Sequence, residues 1–114
     1  MNGELLLEQQ PQFLYLTTIG WKSGKEHKIE IWFIAFNNKY YVMSENGRDA
    51  HWVRNILSNP KVLVSINDET FEANAQIVDK GTDLKLVAEI SNRMYTKYKW
   101  DAGLIVEITS RAIY

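Results

Sequence analysis

The sequence contains no cysteine. Disulfides, thiolate metal sites, iron–sulfur clusters and a cysteine nucleophile are therefore excluded. Histidine is also scarce: His27 and His51 are the two in the chain, and no spacing of His, Asp and Glu around them is typical of a metal site. We therefore expect no metal, and the lack of cysteine favours a cytoplasmic location.

A strong charge of either sign and a long apolar run are missing as well. Lys and Arg number 13 and Asp and Glu 14, which leaves a net charge of -1. Proteins that bind nucleic acid usually carry a strongly basic face, so we expect no nucleic-acid partner. No stretch approaches the roughly 20 apolar residues of a transmembrane helix. The N-terminus also lacks the basic start and the apolar run of a signal peptide.

What the sequence does have is the apolar content of a globular protein. Its 114 residues are 46% hydrophobic, which is enough to bury a core without disulfides or metals, and we predict one domain over residues 1–114. Alternating and aromatic-rich segments predict strands at residues 13–19, 26–36, 40–44, 61–66, 70–78 and 104–109. Helical spacing predicts helices at residues 49–58 and 83–99, whereas residues 1–10 are ambiguous.

The order of these segments indicates the fold class. Short turns such as Asn37-Asn38 and Asn67-Asp68 favour antiparallel pairing of the strands that they join. Six strands and two helices in the order β-β-β-α-β-β-α-β favour a mainly β (α+β) fold in which the sheet curls into a small barrel. Residues 32–36 are apolar on both faces, which is expected inside a barrel or against a second subunit.

Each predicted helix has an acidic residue at its start and one apolar side. Asp49 is expected to cap the first helix, and Asp83 suits the start of the second. The apolar side of the first helix is formed by Trp52, Val53, Ile56 and Leu57. That of the second is formed by Leu84, Val87, Met94, Tyr95 and Tyr98, with Ile90 near its edge.

Two loops carry groups that bind anions. In the turn Lys22-Ser23-Gly24-Lys25, two ammonium groups, a hydroxyl and a glycine-freed backbone form a candidate phosphate cradle. An ordinary hairpin turn with solvated lysines is the alternative. In the loop Ser44-Glu45-Asn46-Gly47-Arg48, backbone N–H groups precede a helix and Arg48 adds a guanidinium. Here the alternative is a plain loop that leads into a capped helix.

Tryptophan is frequent near these loops. Of the four in the chain, Trp21 and Trp32 flank the lysine turn and Trp52 opens the first helix. Large aromatic faces stack on planar rings, although such residues are more often simply core. The loops and the tryptophans together favour a flat, phosphorylated ligand. Because neither a nucleophile elbow nor a paired set of carboxylates is present, we predict no catalytic side chain and assign the chemistry to a cofactor.

Four motifs, in order along the chain, resemble a known family. They are T-T-I-G-W-K-S-G-K at residues 17–25, I-E-I-W-F at 29–33, the segment 44–55 ending in W-V-R-N, and S-N-P-K-V-L-V at 58–64. They resemble the deazaflavin-dependent nitroreductase family, within the FMN-binding split β-barrel superfamily. The resemblance implies a six-stranded antiparallel split β-barrel with two helices, usually a homodimer. It also implies coenzyme F420 or FMN as cofactor, and hydride transfer to a quinone, a nitro compound or a similar acceptor.

The resemblance also assigns cofactor-binding positions. Residues of the phosphate-contacting turn, the cofactor loop and the adjoining helix correspond here to Lys22, Ser23, Gly24, Lys25, Ser44, Asn46, Gly47, Arg48, Trp52 and Asn55, and we add Trp32 and Met43. Two positions depart from the family pattern. Trp21 replaces the usual Arg of the first motif, and Glu45-Asn46 replaces a Gly-rich pair.

Two other hypotheses fit the same residues. The chain can be a non-catalytic binding module for a flavin, a haem or another planar anionic ligand. It can also be a structural dimer that binds no ligand, held together through the apolar strand 32–36.

Overall fold

The computed structural model describes residues 11–111. The ambiguous segment 1–10 therefore lies outside the described residues. The strands are β1 Phe13–Ile19, β2 Glu26–Phe36, β3 Lys39–Ser44, β4 Lys61–Ile66, β5 Glu69–Ile77 and β6 Leu104–Ser110. The helices are α1 His51–Ser58 and α2 Leu84–Tyr98, and a 3-10 turn at Gly47–Asp49 leads into α1.

The strands close into an antiparallel barrel in the order β1-β2-β3-β6-β5-β4. Pairing of β1 with β4 completes the circle. Two of the hairpins are made by Asn37-Asn38 and Asn67-Asp68, whose φ angles of 54°, 64°, 52° and 64° are the positive values that a type I′ turn needs. The predicted fold class and element order are both confirmed.

Residues 32–36 of β2 face two separate apolar cores. Phe33 points into the barrel, where it packs with residues such as Leu16 and Val42. Ile34 points outward and packs with Ile90 and Met94 of α2. The predicted two-sided apolar strand is therefore explained by the barrel interior on one side and a helix on the other.

The helices differ from the sequence prediction at their starts. Ala50, not Asp49, is the N-cap of α1, and no side chain bonds to the free N–H groups there. Asp49 instead lies in the 3-10 turn before the helix. Asp83 flanks α2 as its N-cap residue, without a capping side-chain bond.

The apolar sides of the helices are also narrower than predicted. Leu57, Leu84 and Tyr95 are exposed by 55%, 67% and 53%, so these three predictions are wrong. The face that α2 buries is centred on Ile90 and Met94, which are four residues apart and fully buried. Within residues 11–111, no helix has the length and apolar character needed to cross a membrane.

Candidate functional site

Two cavities lie along β2. The first, the basic cavity, has a volume of about 700 Å³ and lies between the turn after β1 and helix α1. Its cations are Lys22, Lys28 and Arg54; its other titratable groups are His27, His51 and Glu26. The second, the aromatic groove, has a volume of about 490 Å³ and lies farther along β2. It is lined by Phe13, Ile31, Trp32, Met43, Met94 and Trp100, together with the carboxylates Glu30 and Glu45.

The turn at residues 20–25 is closed by its own backbone. The Gly20 N–H donates to the Lys25 carbonyl (2.7 Å), and the Gly24 N–H donates to the Gly20 carbonyl (2.9 Å). Ser23 Oγ accepts a further bond from the Lys25 N–H (3.1 Å). A Cβ on Gly20 would lie 2.7 Å from Ser23 Oγ, so the residue has to be glycine for this turn to close without a shift. The turn thus holds Lys22 at the rim of the basic cavity.

Asn55 ties helix α1 to this turn. Its side chain is buried, and its Oδ1 accepts a bond from the Trp21 N–H (3.0 Å) while its Nδ2 donates to Thr18 Oγ1 (2.9 Å). Thr18 is itself fully buried near the end of β1. Both polar ends of Asn55 are therefore used within the protein, and the residue positions the wall of the basic cavity.

The ring of Trp21, at the position where the family pattern has an Arg, lies close to two cations. Lys22 Nζ lies 4.8 Å from the centroid of the Trp21 ring, and Arg54 Cζ lies 5.8 Å from it. Trp21 is 43% exposed, and a cation over an exposed ring contributes about 0.5–1 kcal/mol. The replacement therefore removes one guanidinium from the turn and holds two other cations beside the cavity.

The wall of the aromatic groove is a stack of rings. Trp32 lies flat on Tyr98, with centroids 4.5 Å apart and planes within 6°, and it meets Trp100 edge-on at 6.3 Å. The one hydroxyl proton of Tyr98 is shared between the Phe33 and Gln12 carbonyls, and the hydroxyl oxygen accepts a bond from the Phe33 N–H (3.0 Å). Burial raises the pKa of Tyr98, and the bond to the Phe33 backbone partly opposes that rise. The Trp32 ring is thus held in place by a residue whose own hydroxyl is fixed.

Lys97 also bonds to the β2 backbone beside Trp32. Its ammonium donates to the carbonyls of Phe33 (3.0 Å) and Pro11 (3.1 Å) and lies 4.1 Å from the centroid of the Phe33 ring. Burial lowers the pKa of Lys97. Through Lys97 and Tyr98, the last turn of α2 fixes β2 at the residue beside Trp32.

The loop at residues 44–48 is folded on itself. Ser44, which is buried, donates its hydroxyl to the Gly47 carbonyl (2.8 Å), and Gly47 has a φ of 60°. The Asn46 carbonyl accepts the Asp49 N–H (3.1 Å). Arg48 is exposed. Of this loop, Glu45 is the residue that lines the aromatic groove.

The candidate residues from the sequence therefore fall into three groups. Lys22, Ser23, Trp52 and Asn55 line the basic cavity. Trp32 and Met43 line the aromatic groove. Outside the lining of both lie Gly24, Lys25, Ser44, Asn46, Gly47 and Arg48.

Sequence reasoning missed several residues of the site. Lys28 and Arg54 line the basic cavity, and Tyr98 and Lys97 support the aromatic groove. For the first pair the sequence does contain a signal. Lys28 occupies an outward-facing position of β2, and Arg54 lies one turn along α1. The second pair comes from a distant helix, and no local pattern in the sequence connects it to Trp32.

The two cavities share one strand. Residues 26–29 of β2 line the basic cavity, and residues 30–32 line the aromatic groove. At about 3.3 Å per residue, Lys28 and Trp32 are roughly 13 Å apart along the strand. A single ligand would have to span about that distance to reach both.

The closed six-stranded antiparallel barrel with two helices is the fold of the split β-barrel proteins. More narrowly, the chain belongs to the F420H(2)-dependent quinone reductase family, whose model matches residues 2–109. This is a family of oxidoreductases, and the match confirms the resemblance inferred from the four motifs. No curated protein sequence matches this chain.

Solved structures with a similar fold include a reductase, a dimer and a haem-storage protein. The F420-H2 dependent reductase FDR-A is 28% identical, with 85% of this chain and 92% of that one covered and a TM-score of 0.58. A domain-swapped dimer is 25% identical, with 94% and 92% covered and a TM-score of 0.58. The haem-storage protein HutZ from Vibrio cholerae is 18% identical, with 98% and 89% covered and a TM-score of 0.68, a likeness of fold alone.

Proposed function

We propose that this chain binds F420 along β2 and, as an oxidoreductase, uses it to reduce a quinone, a nitro compound or a similar acceptor. The observation that carries the proposal is the placement of a cation-rich cavity and an aromatic groove on one strand. Family membership and the likeness to FDR-A support F420 over other cofactors.

The residues present fit such a cofactor. Phosphate and carboxylate groups need cations, which Lys22, Lys28 and Arg54 supply in the basic cavity. A planar ring needs flat apolar faces, which Trp32 and Trp100 supply in the groove. Both volumes lie within the range of about 300–1,000 Å³ that is usual for small-molecule sites.

In this proposal the cofactor supplies the hydride when bound, and the chain supplies binding and orientation. Lys22 and Arg54 hold the anionic end. Trp32 and Met43 present apolar surface in the groove, which takes the cofactor ring and the acceptor stacked beside it, and Asn55 fixes the wall that carries Lys22. The groove lining contains no Ser, Thr, His or Lys, and its two carboxylates, Glu30 and Glu45, are exposed at the rim. We therefore propose no catalytic side chain; the rate gain comes from holding two planar molecules in contact.

The first test is a titration of the purified protein with F420 and, separately, with FMN, followed by cofactor fluorescence. We expect F420 to saturate, and FMN to bind more weakly because it offers fewer anionic groups to the basic cavity. Lys22→Ala and Arg54→Ala should each weaken F420 binding, whereas Lys85→Ala, an exposed lysine on α2, should not. If neither cofactor binds at tens of micromolar, the proposal fails.

A second candidate function is storage or carriage of a planar anionic ligand without turnover. The observation that favours it is that His27 and His51 line the basic cavity together with the lysines. Imidazole is a ligand for haem iron, and ammonium groups pair with haem propionates. Haemin titration of wild type and His51→Ala, read from the absorbance spectrum, tests this. Reoxidation of bound reduced F420 by menadione would favour the reductase instead.

We also propose that the protein is a cytoplasmic homodimer of single-domain subunits. Tyr15 on β1 is 37% exposed and lies outside the lining of both cavities. An exposed tyrosine away from the ligand site is a candidate interface residue. The likeness to a domain-swapped dimer is consistent with pairing. Light scattering should give twice the chain mass for wild type and a monomer for Tyr15→Glu.

A further inference from the structure

We propose that Glu30 and Glu45 make the aromatic groove selective for planar acceptors that are neutral or cationic, and that they disfavour anionic ones. This inference rests on the proposed function, because it names the class of acceptor that the groove takes.

The two carboxylates reach the groove from different strands. Glu30 lies on β2 two residues before Trp32, so both side chains project from the same outward face. Its Oε1 is 3.5 Å from the hydroxyl of Tyr15, at the edge of hydrogen-bond distance. Glu45 follows the end of β3 and reaches the groove beside Met43. Both carboxylates are exposed at the rim, while the floor is aromatic and apolar.

No cation neutralises this pair among the residues that the structure describes. The salt bridges found within residues 11–111 involve neither Glu30 nor Glu45, and the groove is lined by no Lys or Arg. Lys28 lies two residues before Glu30 on the same face of β2, but its ammonium lies over the Tyr15 ring, 5.3 Å from the centroid, and forms no salt bridge with Glu30. The rim therefore carries two negative charges above an apolar floor.

Two physical effects then act in the same direction. Carboxylates at the rim repel an anionic acceptor and attract a cationic one, although water and salt screen exposed charges. The faces of Trp32 and Trp100 attract cations through the ring quadrupole. For exposed groups we expect the combination to give about a tenfold difference in affinity between a cationic and an anionic acceptor of equal size at low salt.

The charge preference of the groove is opposite to that of the basic cavity, and this difference separates the two ligands. A cofactor with an anionic end is drawn to Lys22, Lys28 and Arg54 and is repelled from the groove rim. The acceptor site is thus kept free of the anionic end of the cofactor, and of excess cofactor, because the groove disfavours the charge that the cavity favours.

The test uses equilibrium dialysis of the full-length chain, with and without F420, against three naphthoquinones of similar size. One is neutral (menadione), one carries a sulfonate, and one carries a trimethylammonium group. For wild type we expect the order cationic, neutral, anionic, with about a tenfold spread. In Glu30→Gln/Glu45→Gln the spread should fall below about twofold.

Glu69→Gln is the matched control, because Glu69 is an exposed carboxylate at the start of β5. It should leave the spread as it is in wild type. Equal affinity of wild type for the sulfonate and the trimethylammonium compound would overturn the proposal. So would a spread that survives in the double variant, or a lack of binding by all three compounds.

The outcome is separable from that of the proposed function. Binding of F420 without charge selectivity among the quinones would contradict this inference and leave the proposed function standing. Charge selectivity in a protein that binds no F420 would sink the proposed cofactor and leave the acidic groove as a site for planar cations.

Discussion

The basic cavity and the aromatic groove share β2 but are built in different ways. The cavity is bounded by a tight turn and by the first turn of α1, and its charged side chains, such as Lys22 and Arg54, are exposed. The groove is backed by a strand and a helix in contact, with Trp32 stacked on Tyr98 and the Tyr98 hydroxyl bonded to the β2 backbone. One region is adjustable and charged, whereas the other is preorganised and apolar.

This difference indicates how each region contributes to binding. Exposed cations contribute little individually and are screened by salt, so the cavity supplies steering and a salt-dependent affinity. A ring already held flat loses little entropy when a ligand stacks on it, so the groove supplies orientation. If the two regions act independently, substitutions in one region should leave ligand binding in the other intact.

The largest effect is expected for Asn55→Ala. The substitution leaves the buried Thr18 hydroxyl and the partly buried Trp21 N–H without their partner, at a cost of roughly 2–4 kcal/mol in the free energy of unfolding. Urea denaturation measures this. Asn59→Ala is the control, because Asn59 makes one exposed local bond to the Lys61 N–H, and it should cost under about 1 kcal/mol.

The same variant tests the separation of the two regions. Because Asn55 anchors only the turn and α1, F420 affinity should fall while menadione binding in the groove persists. Equal loss of both in a folded Asn55→Ala protein would show that the cavity and the groove are one coupled site.

The next largest effect is expected for Trp32→Ala. Removing the stacked ring should reduce menadione affinity about tenfold, in line with the roughly 1–3 kcal/mol of an aromatic stacking contact. Binding of inorganic pyrophosphate to the basic cavity should be unchanged, and calorimetry can measure both ligands. Trp21→Ala is the reciprocal variant and should weaken pyrophosphate more than menadione, because Lys22 and Arg54 lose the ring between them. A loss of pyrophosphate binding in Trp32→Ala would contradict the comparison.

Much of this architecture could be predicted from the sequence because it is local. Asn37-Asn38 and Asn67-Asp68 adopt the positive φ angles that their residue types favour, and short turns then leave few barrel topologies open. Of the site, Lys22 and Trp32 were found for the same reason: each belongs to a contiguous motif.

The remainder depends on contacts between distant segments. Tyr98 supports Phe33 from 65 positions away, and that pairing follows only once α2 is packed on β2. The division of the candidates between two cavities also depends on which strand face each occupies, which places Trp32 and Lys22 apart. Likewise, the chain turns through Gly47–Asp49 before α1, so Ala50 takes the N-cap position and the Asp49 side chain makes no capping bond.

A smaller effect is expected from salt. Raising ionic strength from about 0.01 M to about 0.15 M shortens the screening length from about 30 Å to about 8 Å. F420 affinity should fall several-fold, because its anionic end faces exposed cations, whereas menadione affinity should hardly change. Fluorescence titration at each salt concentration gives both. In Lys28→Ala the salt dependence of F420 binding should be shallower; an unchanged slope would mean that Lys28 does not face the ligand.

The smallest effect at neutral pH is expected for loss of the Tyr98 hydroxyl, which fixes β2 beside Trp32. Burial raises the pKa of Tyr98 above the ordinary value of 10.0, so above that pH the unfolded chain loses its proton before the folded chain does. The stabilisation is therefore complete below about pH 10 and is lost as pH rises through the folded-state pKa. The free energy of unfolding should exceed that of Tyr98→Phe near pH 8, and the gap should narrow as the pH rises above about 10.

The variant difference is needed because other groups titrate in the same range. Burial and the hydrogen bond to Glu107 raise the pKa of Tyr41, which adds to the alkaline loss. Burial lowers the pKa of Lys97, and this acts with the opposite sign, since its charged form is the one disfavoured in the folded state. Tyr95→Phe, at an exposed tyrosine of the same helix, controls for loss of a hydroxyl as such. If Tyr98→Phe were as stable as wild type near pH 8, where the hydroxyl is protonated, the Tyr98 hydroxyl would not be what fixes β2 beside Trp32, and the groove would be as adjustable as the basic cavity.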